Sequence, residues 1–261
     1  MFLPHLVAIL LSAPSPYEGV TEPIQQAVVG ATVSGKIRSI RVAEGRRIRK
    51  GDTLVVLEKD EEELNVAITG VVAENRSDIL AAQQKRQTFE RDYLATRQLF
   101  ENSNSVSEEQ LWEKELAFKT AEADLQNALA LNEKAKLEHQ MAKVQLSRRY
   151  ILAPFDGVLV RYHKRIAESV QALEPLVEAV DVGRCRFTSY VVADLAQSLR
   201  KGQVVTLRLD GSSAPRQRKG TVAYIAPVVD KASMLRVVKV VFDNADGSIE
   251  PGVTGRILLT P

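Results

Sequence analysis

From residue 26 to 58, apolar and polar positions alternate in short runs: Ala27-Val28-Val29, Thr32-Val33-Ser34, Ile37 to Val42 and Thr53 to Leu57, separated by Gly30, Gly35, Gly45 and Gly51. A period of two rich in β-branched residues predicts half-buried strands, and the glycines predict the turns between them. The period changes at Asp60. From there to Ser147 there is no proline and Gly70 is the only glycine, while Ala, Leu, Glu, Gln, Lys and Arg dominate, the composition of long helices. Asn102 to Ser105 interrupts the run. Ser107, followed by Glu108, Glu109 and Gln110, reads as an N-cap with a capping box, so two antiparallel helices joined by a short loop are predicted.

The second helix carries a heptad series, Leu111, Phe118 and Leu125, continued through polar Asn132 and His139 to Leu146, with Ala121, Ala128, Ala135 and Ala142 beside it. Alternating large and small residues along one seam predict close coiled-coil packing. In the first helix the seam is expected to run through Leu64, Ile68 and Val71, then Ala82, Phe89, Tyr93 and Phe100, with polar Asn75, Asp78 and Arg86 loosening it. At about 1.5 Å per residue, arms of roughly 40 residues reach about 60 Å. Proline and strand character return together at Pro154, with runs at Ile151-Leu152, Gly157 to Val160 and Pro175 to Val177. Beyond Val182, alternating runs at Phe187 to Val192, Val204 to Leu209, Gly220 to Ile225, Arg236 to Phe242 and Gly255 to Leu259 are divided by turns at Lys201-Gly202, Asp210-Gly211, Asp246-Gly247 and Pro251-Gly252. Short strands at regular spacing predict a small barrel or sandwich.

Composition narrows the function. Lys plus Arg (35) and Asp plus Glu (33) nearly cancel to a net charge of +2, which argues against a nucleic-acid footprint. Aromatic residues are only 5%, so several thin modules are expected in place of one large core. A single cysteine, Cys185, rules out a disulfide framework and a Cys-based zinc site, and His5, His139 and His163 have no metal-ligand spacing. No metal, cofactor or catalytic residue is therefore expected. Arg184 and Arg186 beside Cys185 would lower a thiol pKa, but its place at the start of a strand predicts a small buried residue. Asp156, in Ala153-Pro154-Phe155-Asp156-Gly157, reads as a turn residue, since no second carboxylate or histidine stands at a suggestive spacing. Met1 to Ala13 is an apolar run ending in small residues, too short to span a bilayer. It reads as a secretory signal, although no Lys or Arg precedes Lys36 and no lipobox cysteine follows; an apolar strand or a misassigned start is the alternative.

The most informative feature is a repeat. Val33-Ser34-Gly35-Lys36-Ile37, followed by Glu44-Gly45, Ile48 and Gly51-Asp52-Thr53-Leu54, is matched by Phe155-Asp156-Gly157-Val158-Leu159, followed by Ala167-Glu168, Val170 and Leu173-Glu174-Pro175-Leu176. Two copies flanking a helical insertion cannot each hold a full core, so they must meet across the base of the hairpin. At these residues the chain resembles the membrane fusion proteins, the periplasmic adaptor subunits of bacterial efflux pumps (HlyD-like and RND-type). The resemblance covers about residues 20 to 261 and includes Leu152 to Val158, Gly202 to Val205, Gly220 to Pro227 and Asp243 to Gly252.

The resemblance implies an α+β chain of elongated, multi-module form. Residues 1–19 would be a possible signal and leader, 20–58 the first half of a split biotinyl/lipoyl-like domain with a lead-in strand, 59–148 an α-helical coiled-coil hairpin, 149–181 the second lipoyl half and 182–261 a β-barrel, with no membrane-proximal domain after it. Ala167 and Leu173 stand where the family usually has turn glycines, and these turns are expected to use a different backbone conformation because Leu tolerates positive φ poorly.

The resemblance further implies a non-enzymatic adaptor in the periplasm, peripheral to the inner membrane of a Gram-negative envelope. Its partners would be an inner-membrane transporter of RND or ABC type and an outer-membrane channel of TolC type, and it would associate with itself in a ring. At the hairpin tip, aligning Ser107 with the serine of the family's channel-docking motif puts Phe100 at its leucine and Thr96 at its arginine, with Arg97 displaced by one residue. Arg97, Phe100, Val106 and Ser107 are thus the candidate partner-binding residues; the plainer reading makes Ser107 a helix cap and Phe100 and Val106 packing at the turn. Two other classes stay open. One is a lipoyl or biotin carrier modified at Lys59, and the other a structural coiled coil without a transporter, which would have no need of the repeated half-motif.

Overall fold

A computed structural model describes residues 18–103, 105–210 and 215–258, with the backbone alone at Ser103 and Leu195. The segment Met1 to Ala13 and part of the Asp210-Gly211 turn lie outside the described residues. The chain divides into two compact units, Val56–Tyr150 and the remainder. No described helix is long and apolar enough to cross a membrane.

The strands of the first unit are β1 (Glu18–Gly30), β2 (Gly35–Ile40), β3 (Arg47–Ile48), β4 (Thr53–Leu57), β5 (Tyr150–Leu152), β6 (Gly157–Tyr162), β7 (Ser169–Val170), β8 (Pro175–Val192), β9 (Val204–Asp210), β10 (Pro215–Ile225), β11 (Leu235–Asp243) and β12 (Thr254–Leu258), the unit boundaries falling within or beside β4 and β5. Six of them close a barrel in the order β1-β12-β9-β10-β11-β8, with β8 returning to β1. Period-two burial fills it: Val205, Leu207 and Leu209 of β9 face inward with Val238, Val240 and Phe242 of β11, around a fully buried Phe187. The strand that closes the barrel comes from the other end of the sequence, Gly19 to Pro23 of β1 pairing antiparallel with Cys185 to Ser189. β1 and β8 then continue together into the lipoyl-like part, where Gln26 to Val29 pair with Val177 to Val180. Thr32 to Ser34, expected as strand, is instead a bend after β1, and the Ser34 hydroxyl accepts the Ala172 N–H at 3.1 Å.

The two half-motifs interlock reciprocally. Gly35 and Lys36 of the first copy pair with Val170 and Ser169 of the second, and Arg47 and Ile48 of the first pair with Val158 and Gly157 of the second. Equivalent positions are buried in both copies: Ile37 and Leu159, Ile48 and Val170, Leu54 and Leu176. The turns are equivalent too, and this corrects the expectation for Ala167 and Leu173. Ala167 (φ 71°) and Leu173 (φ 66°) keep the left-handed backbone of Gly45 (φ 78°) and Gly51 (φ 90°). Each turn is held there by the opposite copy: Gly45 N–H donates to the Leu159 carbonyl and Ala167 N–H to that of Ile37, while Gly51 N–H donates to Ala153 and Leu173 N–H to Ala31. These bonds require the left-handed geometry, so the side chain accepts the strain, which costs about 1 kcal/mol or more for a non-glycine residue. Leu173 is 86% exposed and gains little packing in return. Leu173→Gly is expected to stabilise this unit by about 1 kcal/mol, read as a higher urea midpoint; an unchanged or lower midpoint would mean the exposed leucine is compensated elsewhere.

The second unit contains α1 (Asp60–Glu74), α2 (Ser77–Ser103) and α3 (Glu108–Ser147); a fourth short helix, α4 (Ala193–Ser198), belongs to the barrel unit. The capping box at α3 is present, with Ser107 Oγ accepting from Gln110 N–H and the Gln110 side chain accepting from Ser107 N–H at 3.0 Å. The predicted seam of α3 faces inward: Ala121, Asn132, Ala135 and Ala142 are buried, with Leu111, Phe118, Leu125, Ala128, His139 and Leu146 half-buried.

The first arm differs from expectation in two ways. It is broken at Asn75-Arg76, where Asn75 turns extended (ψ 123°) and its side chain accepts the Ser77 N–H. And Leu64, Ile68 and Val71 are exposed; Val66, Thr69, Gly70 and Ala73 line the seam instead. The polar residues of α3 explain both. Asn132 Nδ2 donates to the carbonyls of Ala73 (3.2 Å) and Asn75 (3.1 Å), which the break releases. His139 Nδ1 lies 3.1 Å from Thr69 Oγ1, and a Cβ at Gly70 would meet the imidazole at 3.1 Å. A bulky ring on α3 therefore selects the small face of α1 and turns its large apolar residues outward.

Candidate functional site

Beyond the break, α2 packs against the first part of α3. Tyr93 stacks on Phe118 with ring centroids 5.9 Å apart and an interplanar angle of 7°, and the Arg86 guanidinium lies over the Phe118 ring, 5.6 Å from its centroid. A polar seam position is thus absorbed as a cation–π contact. Across the helices, Lys85 pairs with Asp124 at 2.7 Å. Where α2 leaves α1, Val72, Ile79, Ala82, Asp124, Asn127 and Ala128 line an open cavity of about 430 Å³.

At the tip, Arg97 Nε donates to Glu101 Oε1 at 2.8 Å, both side chains more than half exposed. Thr96 Oγ1 donates to the Asp92 carbonyl. Phe100 and Val106 are half-buried and Ser107 is the N-cap of α3. Ser107 thus has a structural task in the free chain, while Arg97 presents a guanidinium on the exposed surface, paired with Glu101 of its own helix.

Lys59, the position a carrier protein would modify, starts α1. Its ammonium pairs with Glu63 and sits 5.7 Å over the Tyr150 ring, and it is only 17% exposed. The hydrogen bond to Glu63 raises its pKa, and a lysine so held lacks the freedom of a swinging arm.

In the other unit an open cleft of about 570 Å³ is lined by Arg47, Arg49, Asp52, Asp156, Asp181 and Asn244 among others. Its carboxylates are engaged in the backbone. Asp52 accepts the Arg49 N–H, Asp156 the Lys50 N–H at 2.7 Å and Asp181 the Gly183 N–H. Asp156 is therefore a turn residue that ties the second half-motif to the first. No group of three or more His, Cys, Asp or Glu able to hold a metal occurs among the described residues. Burial pushes the Cys185 thiol up to about 11, so it is an inert core residue.

The lipoyl-like part carries an ionic link between a buried Glu178 and an exposed Arg161 that the pattern of residues did not reveal. Glu178 on β8 accepts from Arg161 Nε (2.7 Å) on β6 and from Gln26 Nε2 (2.8 Å) on β1. The Arg161 hydrogen bond first, then that of Gln26, holds its carboxyl below the usual glutamate range. A depressed folded-state pKa contributes stability above the unfolded value of about 4.3, and that contribution is lost as pH falls through the folded value. Glu178→Gln is therefore expected to lower stability at pH 7 and to lose this deficit in strong acid. Denaturant titrations from pH 7 to pH 3 check it, and a deficit constant across that range would show that the charge is immaterial.

Residues 188–261 match the family of the CusB-like, beta-barrel domain. Over 221 residues the chain is 23% identical to the cobalt-zinc-cadmium resistance protein CzcB of Cupriavidus metallidurans, covering 85% of this chain and 40% of that one. It is 24% identical to an uncharacterized protein of Haemophilus influenzae, covering 88% of this chain and 52% of that one. The chain thus spans about half the length, or less, of these relatives. Among solved structures, MacA from Actinobacillus actinomycetemcomitans superposes with a TM-score of 0.75 at 18% identity, over 93% of this chain and 78% of that one. The membrane fusion protein Spr0693 from Streptococcus pneumoniae R6 superposes with a TM-score of 0.62 at 15% identity, over 93% and 99%. A split lipoyl-like module, a helical hairpin inserted in it and a closed barrel whose residues match the CusB-like domain together give this chain the fold of the solved membrane fusion proteins it resembles.

Proposed function

We propose that the chain is the adaptor of a tripartite efflux system, a non-catalytic part that links an inner-membrane transporter to an outer-membrane channel from the periplasm and works as an oligomer around an axis. One observation carries the reading: two half-motifs that complete each other's turns and strands around an inserted hairpin, beside a barrel matched to the CusB-like family. A carrier needs a free lysine on a tight turn, and a plain coiled coil needs no interlocked repeat. In this reading the hairpin tip, with Arg97, Phe100, Val106 and Ser107, meets the channel, and the lipoyl-like and barrel modules meet the transporter. The relative named for cobalt, zinc and cadmium resistance makes divalent metal ions the first cargo to test.

The experiment is a mild crosslink in the native cells, followed by affinity capture and mass spectrometry, alongside metal susceptibility of a deletion strain. Recovery of an inner-membrane transporter with unmodified protein supports the proposal and distinguishes RND from ABC partners. Recovery of soluble dehydrogenase or carboxylase subunits, with added mass on Lys59, would replace the adaptor with a carrier.

A further inference from the structure

The seam of α3 runs without interruption. From Phe118 to Leu146 its inward residues recur at alternating intervals of three and four, Asn132 falling between Ala128 and Ala135. The first arm keeps the same intervals on each side of its break, with Glu62, Val66, Thr69 and Ala73 below and Ile79, Ala82, Arg86 and Phe89 above. Carried on from Ala73, however, the series would fall at 76, 80, 83 and 87, so α2 presents its seam one residue early. Length agrees with phase. Asn75 is extended, and an extended residue advances about 3.3 Å against about 1.5 Å in a helix, the length of roughly two helical residues. The arm is therefore one residue short of a continuous heptad series, and one stretched residue makes up the distance.

Neither glycine nor proline occurs between Ala73 and Asp78, so no helix-breaking residue causes the interruption. The open cavity of about 430 Å³ lies at the skipped seam place, bordered by Val72 and Ile79 of the first arm and by Ala128 and Asn132 of α3. Because a helix turns 100° per residue, a continuous first arm would aim the inward residues of α2 about 100° away from α3. Above Asn75, docking and helix continuity exclude each other.

We propose that this break is a conformational device with two states: α2 is either docked on α3 with the helix broken at Asn75, or undocked and continuous with α1. Asn132 latches the docked state by donating to the Ala73 and Asn75 carbonyls that the break frees. Undocking returns those carbonyls to helical partners, which offsets part of the packing lost, so the arms open from the tip down to Asn75. Below it α1 is held by contacts of its own, Thr69 with His139 and Glu62 with Arg149. The device goes beyond the adaptor reading and holds for the hairpin whatever its tip meets.

Native-state hydrogen exchange of the α2 amides in the full chain reads the opening directly. In the unaltered chain, Asn132→Leu is expected to speed exchange about tenfold, the scale of one lost buried hydrogen-bond partner. One alanine inserted between Asn75 and Arg76 falls on the skipped place and restores the spacing. In that chain Asn132→Leu is expected to slow exchange about tenfold, since the carbonyls have helical partners and an apolar side chain suits the seam. An alanine inserted between Arg91 and Asp92, both exposed, shifts the seam above it and should speed exchange. Circular dichroism verifies that each variant is folded. An effect of Asn132→Leu in the same direction in both chains would overturn the proposal. So would loss of helicity on insertion at Asn75, or an inserted Asn132→Leu chain in which α2 opens as readily as with the insertion at Arg91.

Discussion

Ala121→Pro is expected to unfold the hairpin while the barrel stays folded, and with it to abolish the export proposed above. Ala121 is fully buried in the α3 seam, one turn from the stacked Tyr93 and Phe118 rings. Proline there removes one helical hydrogen bond and drives its ring against the carbonyl one turn earlier, a cost of about 3 kcal/mol or more, and displaces a small residue on which close packing of the arms depends. The hairpin is a compact unit separate from the barrel, so the damage should stop at its base. Hydrogen exchange measures this directly: amides of α2 and α3 should lose protection and those of β8 to β11 should keep theirs. In the adaptor role proposed above, the variant should also fail to restore export in a deletion strain. Simultaneous loss of protection in the barrel would mean that the chain unfolds as one cooperative domain.

Asn244→Ala should produce the converse result. Asn244 is 1% exposed. Its Nδ2 donates to the carbonyls of Val182 (2.9 Å) and Ile249 (2.8 Å), its Oδ1 accepts the Ile249 N–H (3.0 Å), and its own N–H donates to the Gly183 carbonyl. One side chain thus fastens the end of β11 to the start of the barrel portion of β8 and to the turn before β12. Truncation leaves buried backbone groups without partners at about 1–3 kcal/mol each, so a loss of about 3 kcal/mol is expected. For a unit of this size that lowers Tm by on the order of 10 °C, with hairpin helicity retained at temperatures where the barrel has melted. A shift of a degree or two would show that water replaces the lost partners. Asn244→Asp should be no better, because it keeps the acceptor and removes both donors.

Asn244 also marks the limit of reading polar residues from a pattern. It sits in Asp243-Asn244-Ala245-Asp246-Gly247, recognisable as a turn, yet its three partners lie at Val182 and Ile249, which no local spacing connects. Glu178 is similar. In the sequence it is one acidic residue in an apolar strand, and its partners Gln26 and Arg161 arrive on two other strands. The tip residues divide differently: the cap at Ser107 was legible because capping is local, whereas the Arg97–Glu101 pair only fixes where that guanidinium rests in the free chain.

Local interactions explain what the sequence by itself determined. Period-two and heptad patterns, the Ser107 capping box and the repeated half-motif set the fold class, the inward face of α3 and the pairing of the two halves, because each follows from residues close in the chain or from two matching stretches. Tertiary structure decided the rest. Ala167 and Leu173 adopt the backbone of glycines because the opposite copy's carbonyls hold their N–H groups there. Gly19 to Pro23 closes a barrel whose other strands begin more than a hundred residues later, which hydrophobic alternation alone cannot assign to one sheet over another. And α1 turns Leu64, Ile68 and Val71 outward because His139 and Asn132 on α3 require small residues and free carbonyls opposite them. Periodicity measures how apolar a face is, but the shape and hydrogen-bonding needs of the facing helix decide which face is buried.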